Sequence, residues 1–143
     1  MFSFSPLIDV GDMHDMPYPD NSFDVIICGW VLSYSENKEK AASEIVRVAK
    51  DGAFIGVGIS YSSKTDGDIV AERGYLIGSP KRLESTEDIK RCFGDHVGTT
   101  FFAHDVPVGH EAEHWDILSV FSINKSVSRV RESEAEHRTN VAT

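Results

Sequence analysis

The order of apolar and polar positions divides the first sixty residues into three blocks. Residues 23–32 form a nearly continuous apolar run: Phe23, Val25, Ile26, Ile27, Cys28, Trp30, Val31 and Leu32, interrupted only by Asp24 and Gly29. A run without alternation predicts a strand covered on both faces, as in a parallel sheet held between helices. Residues 35–50 switch to helical spacing. Ala41, Ile45 and Val48 recur at three and four, with Ala42 and Val46 beside them. Ser35 is the expected N-cap, Glu36 suits the positive helix start, and Arg47 and Lys50 suit its end. Asp51-Gly52 is the expected stop, with Gly52 as a left-handed cap. Residues 53–59 are a second apolar block and a second buried strand. Strand, helix and strand over about 37 residues make one right-handed βαβ unit.

The flanking chain reads less regularly. Residues 7–10 are a brief strand candidate. Residues 11–22 are a loop punctuated by Gly11, Pro17, Pro19, Asp20 and Asn21, with a turn at Pro19-Asp20-Asn21-Ser22. Residues 60–80 are rich in Ser, Gly and Asp, with one helical turn expected at residues 69–72. Ser85 opens a further helix that ends near Gly94, since Asp88 stands three residues on. Residues 97–104 and 115–124 are two more strands, joined by a polar loop at 105–114. From Lys125 onward the chain is charged and poor in apolar residues. The expected division is therefore a domain over residues 1–124 and a polar tail over 125–143, as frayed helix or disorder.

Charge and composition exclude some function classes. A formal net charge of -9 over 143 residues argues against a nucleic-acid or anionic-membrane surface. No run approaches the roughly 18 apolar residues of a membrane span, and the first residues lack the pattern of a secretory signal. Two cysteines, Cys28 and Cys92, show neither a disulfide framework nor a metal-ligand spacing. Together these point to the cytoplasm.

The spaced motifs carry more. Gly11-Asp12, Asp15, Pro17, Asp20 and Ser22-Phe23-Asp24 precede an apolar strand. Glu44-x-x-Arg47-Val48-x-Lys50-x-Gly52 follows it. This series resembles the class I S-adenosylmethionine-dependent methyltransferases of the small-molecule branch, closely over residues 7–60 and more loosely to 124. The resemblance implies an α/β fold, an incomplete Rossmann-like methyltransferase sheet, mostly parallel with an antiparallel strand near the C-terminus. It implies S-adenosylmethionine as cofactor and a small-molecule methyl acceptor. Asp12 matches the carboxylate that accepts from the adenine amine, and Met13 matches the residue whose N–H and side chain meet the base. Gly29 and Trp30 match the strand end that flanks the methionine portion. Ser33, Tyr34 and His14 are the expected acceptor-side residues, His14 as a candidate general base.

The family's opening strand, glycine-rich turn and ribose-binding acidic residue have no counterpart in these residues. About ten residues precede Asp12, room for one short strand, whereas the opening unit needs about 30. Gly56-Val57-Gly58 lies inside a strand and cannot replace that turn. The strand at 23–32 should therefore show an open apolar edge. Residues 7–10 moving in beside it, joined by a homodimer or a partner chain, would cover that edge. Two other readings stand beside methyl transfer. One is a non-catalytic remnant or interaction module that keeps the sheet without the cofactor site. The other is a zinc hydrolase through His110-Glu111-x-x-His114, which requires both histidines on one helix face.

Overall fold

The computed structural model of the chain describes residues 8–76, 81–111 and 113–126. The four strands are β1 (Phe23–Gly29), β2 (Ala49–Ser62), β3 (Val97–His104) and β4 (His114–Ile123). The helices are α1 (Lys38–Val48), α2 (Asp66–Arg73) and α3 (Thr86–Phe93). The sheet order is β1-β2-β4-β3. β1 and β2 are parallel and bridged by α1, so the expected βαβ unit is present. β4 runs against both neighbours. Three strands thus share a direction and β4 opposes them, as expected. Counted by ladders, one pair is parallel and two are antiparallel, because the reversed strand lies between two others.

One face of the sheet carries the core. Ile55, Val57 and Ile59 of β2 and Ile117, Phe121 and Ile123 of β4 are all buried beneath α1 and α3. Ala41, Ala42, Ile45 and Val46 form the inward stripe of α1, and Ile89 and Phe93 that of α3. Phe93 meets Phe121 edge to face, with ring centres 5.0 Å apart.

The opposite face is open among the described residues, which corrects the expectation of a strand covered twice. Val25 is 58% exposed and Ile27 81%, and Phe54 and Phe101 stand beside them at about half exposure. A continuous apolar run cannot distinguish two covered faces from one covered and one bare. The expected strand at 7–10 is also corrected in part. Residues 8–10 are exposed and not in a strand, so they do not pair with β1; Leu7 lies outside the described residues.

Two boundaries move for local reasons. α1 starts at Lys38 because Asn37, not Ser35, caps it, its side chain accepting from Lys40 N–H. β2 starts at Ala49 rather than 53. Gly52 does adopt the left-handed region, at φ 79°, but inside β2, where the register between Phe23 and Val25 breaks. Lys125, the first residue of the expected tail, bonds to the sheet and to the loop before β1. Its N–H donates to Asp51 Oδ1 at 2.8 Å and its Nζ to Asn21 Oδ1 at 2.7 Å. The rest of the expected tail, 127–143, lies outside the described residues. No helix among the described residues is long and apolar enough to cross a membrane.

Candidate functional site

The acidic loop before β1 is clamped from beneath by Glu44 and Arg47. Arg47 donates to Tyr18 O at 2.8 Å, Met16 O at 2.9 Å, Asp20 Oδ1 at 2.8 Å and both carboxylate oxygens of Glu44. Glu44 in turn accepts from Met16 N–H at 3.0 Å. The Arg47 guanidinium, then the Met16 amide, hold the Glu44 carboxyl well down, to about 2. This is the physical reason for Glu-x-x-Arg on α1: the pair lies on one helix face and satisfies the carbonyls of a loop that has no ladder of its own.

At the head of that loop, Asp12 Oδ1 accepts from His14 N–H at 2.8 Å and contacts His14 Nδ1 at 2.7 Å. The far ring nitrogen, Nε2, lies 2.7 Å from Ser35 Oγ. These bonds to His14 hold the Asp12 carboxyl below its usual range. An ionised carboxylate only accepts, so in the neutral imidazole Nδ1 carries the proton and Ser35 donates to Nε2. The three residues copy the connectivity of an acid–histidine–serine triad. They do not form a nucleophile: Ser35 is 2% exposed, and its oxygen already accepts from Asn37 N–H. The set is a clasp that ties the acidic loop to the segment after β1. Sequence reasoning placed Ser35 at a helix cap and missed this, because its partner lies 21 residues away.

β1 ends at Gly29, and the chain turns sharply at Trp30, which adopts φ 56°. That left-handed conformation is a genuine outlier for a large aromatic residue. It is held by Trp30 N–H donating to Gly58 O at 2.8 Å, by the indole lying over Gly58, and by Nε1 donating to Asp116 Oδ1 at 3.3 Å. Gly58 leaves the room: a Cβ there would stand 3.7 Å from the indole and 3.1 Å from Leu118 Cδ2. The next residues make a short turn, Leu32–Tyr34, pinned by the fully buried Leu32. With Leu32 inward, Ser33 and Tyr34 project beside the strand ends.

Trp30, Ser33 and Tyr34 share one cavity of about 370 Å³ with Tyr61, Trp115 and Asp116. It lies at the carboxyl ends of β1 and β2, the usual ligand position in such sheets. Of the seven sequence-derived site residues, three therefore line one pocket. Gly29 stands at its rim, where a Cβ would meet nothing within 4 Å. Asp12 is exposed at the loop head, and Met13 is half-buried with its side chain against the core. Met13 N–H has no hydrogen-bond partner among the described residues. His14 does not line the pocket; both ring nitrogens are engaged in the clasp. Tyr61 and Asp116 were not singled out from sequence, since their position depends on the β2–β4 register that sets Ser60 opposite Asp116.

The His110-Glu111-x-x-His114 pattern does not form a helix. His110 follows a turn at residues 108–109 and His114 begins β4, where it pairs with Glu113 at 3.0 Å. No metal-holding group of three acidic, His or Cys side chains occurs among the described residues.

Residues 3–57 match the family model described as a methyltransferase domain. Ajmaline N-methyltransferase of Rauvolfia serpentina is 49% identical over 47 residues, which is 33% of this chain and 16% of that protein. The matched segments of the curated relatives thus span under a fifth of their length. The fold is shared more widely. A SAM-dependent methyltransferase of Thermotoga maritima superposes with a TM-score of 0.54 at 19% identity, covering 80% of this chain and 62% of that one. The cyclase SpnF superposes at 0.58 and 15% identity, covering 81% and 56%. Matched segment and fold together make this chain similar to the class I S-adenosylmethionine-dependent methyltransferases.

Proposed function

We propose that the chain forms the adenine-side and acceptor-side walls of a methyl-transfer site that uses S-adenosylmethionine. What supports this is that Gly29 and Trp30 end β1, that Asp12 is tied through His14 to Ser35 just beyond that end, and that all three lie on the segment that matches the methyltransferase model. Asp12 is exposed, ionised and held still by His14, and its second oxygen is free to accept from an adenine amine. Met13 N–H is free to donate to a ring nitrogen of the base. Gly29 leaves open space where the methionine portion would pass. The cofactor, when bound, supplies an electrophilic methyl group on a sulfonium. The residues named meet the adenine and methyl ends of the cofactor.

The chain's own residues do three things in this reading. Asp12 and Met13 orient the base. Trp30 and Tyr34 exclude water from the pocket mouth. Ser33 and Tyr34 hold a small-molecule acceptor near the end of β1, where proximity supplies most of the rate. His14 acts as a positioning residue for Asp12.

Isothermal titration with S-adenosylhomocysteine tests it. Binding should be measurable, and Asp12→Ala should weaken it about tenfold or more, the loss of one charge-assisted hydrogen bond. Absence of binding by folded protein would favour a sheet that has lost the cofactor.

A further inference from the structure

The pocket behind Trp30 has a charge pattern that its aromatic walls do not explain. Asp116 is an exposed residue of its wall. Oδ1 accepts from Trp30 Nε1–H at 3.3 Å and from Ser60 Oγ–H at 3.4 Å, both neutral donors. Among the described residues no cation pairs with Asp116. The surrounding positive groups are occupied elsewhere. Arg82 pairs with Asp66 at 3.0 Å and Glu84 at 2.8 Å, and donates to Lys64 O at 3.2 Å. Lys64 bridges Glu72 and Glu113, each at 2.8 Å. His114 is taken by Glu113. Arg73, in the last turn of α2, is the remaining cation on the wall.

The backbone at Trp30 adds a second observation. A tryptophan in the left-handed region is strained, and such strain persists where the surroundings over-determine it. Here the strained turn sets the indole edge, through Nε1–H, against a carboxylate that has no cationic partner among the described residues. An aromatic face beside an unneutralised carboxylate is the chemistry that recognises an organic cation, through a charge-assisted hydrogen bond and a cation–π contact.

We propose that this pocket takes an aromatic amine, with its ammonium group at Asp116 and its ring between Trp30 and Tyr61. The inference rests on reading the pocket as the acceptor side, but amine binding itself needs no cofactor. Arg73 offers the opposite alternative, a carboxylate ligand, and the test separates the two.

Phenethylamine, phenylpropionate and phenethyl alcohol share a ring and differ in charge. Calorimetric titration of the whole chain should show phenethylamine binding at least tenfold tighter than the other two. Asp116→Asn should remove that preference, cutting amine affinity about tenfold while leaving phenethyl alcohol unchanged. Trp30→Leu should weaken the amine more than the alcohol. Circular dichroism and thermal unfolding of each variant establish that it is folded. Equal affinity for all three probes, no binding of any, or tighter phenylpropionate binding lost on Arg73→Gln would each overturn the proposal. The S-adenosylhomocysteine titration is a separate readout. Amine binding without it would sink the methyl-transfer reading and leave the amine site standing; the converse would sink the amine site alone.

Discussion

Glu44 and Arg47 show how two residues can position a twelve-residue loop from one helix face. The loop between residues 11 and 22 has almost no ladder of its own, and its carbonyls at Met16 and Tyr18 end on a single guanidinium. Glu44 is buried, with its side chain 8% exposed, so it contributes as an ion held in place rather than as a solvated one. Its carboxyl falls from 4.5 in the unfolded chain to about 2 in the fold. A depressed folded value means the contribution is fully present above 4.5 and disappears as pH falls toward 2. Glu44→Gln should therefore lower stability by roughly 2 kcal/mol near neutrality. The gap between the two proteins should close between about pH 5 and 2. Urea midpoints across that range check it; a gap that stays constant with pH would show that the carboxylate charge is not what holds the loop.

At the scale of elements, α2 is where sequence and structure part most. The Ser-, Gly- and Asp-rich composition of residues 60–80 reads as irregular chain with one turn. Instead Thr65 and Asp68 form a reciprocal capping box, and Gly74 at φ 80° closes the helix. These signals are local and were present in the sequence; the polar composition masked them. β1, α1 and β2 were legible because period and punctuation agreed along one segment. The pocket was not, because it is assembled across the antiparallel pairing of β2 and β4, which puts Ser60 opposite Asp116 from 56 residues away. Nothing local to either strand encodes that register. Likewise nothing in the sequence around Trp30 marks its left-handed backbone. Since α2 walls the pocket with Ile69 and Arg73, its cap should matter to binding as well as to stability. Thr65→Ala removes the box and should cost about 1 kcal/mol. Hydrogen exchange should rise in residues 66–73 while β2 and β4 stay protected. Uniform acceleration across the sheet would instead mean that α2 and the core unfold together.

At the scale of the whole molecule, one side of the sheet is bare among the described residues. α1 and α3 cover one face only, and β1 presents a free edge on the side away from β2 among the described residues. Val25, Ile27, Phe54 and Phe101 lie on the other face at about half exposure or more. Residues 8–10 of the expected cover do not pair with β1. In a pair of copies, burying what remains exposed of eight such side chains, four from each, contributes roughly 8–12 kcal/mol before the cost of association. A micromolar complex needs about 8 kcal/mol net, after the loss of translational freedom. The face alone therefore falls short, and backbone pairing along β1 has to add to it for a stable pair. The expected behaviour of the isolated chain is weak self-association, its mean mass rising with concentration in light scattering. Replacing Val25 and Ile27 together by Lys should abolish that rise without lowering the unfolding midpoint, because both side chains already face solvent in the single chain. A flat monomer mass across the accessible concentration range would show that the bare face is tolerated as it is; a midpoint that drops with the double substitution would show that these two side chains support the fold rather than a contact between copies.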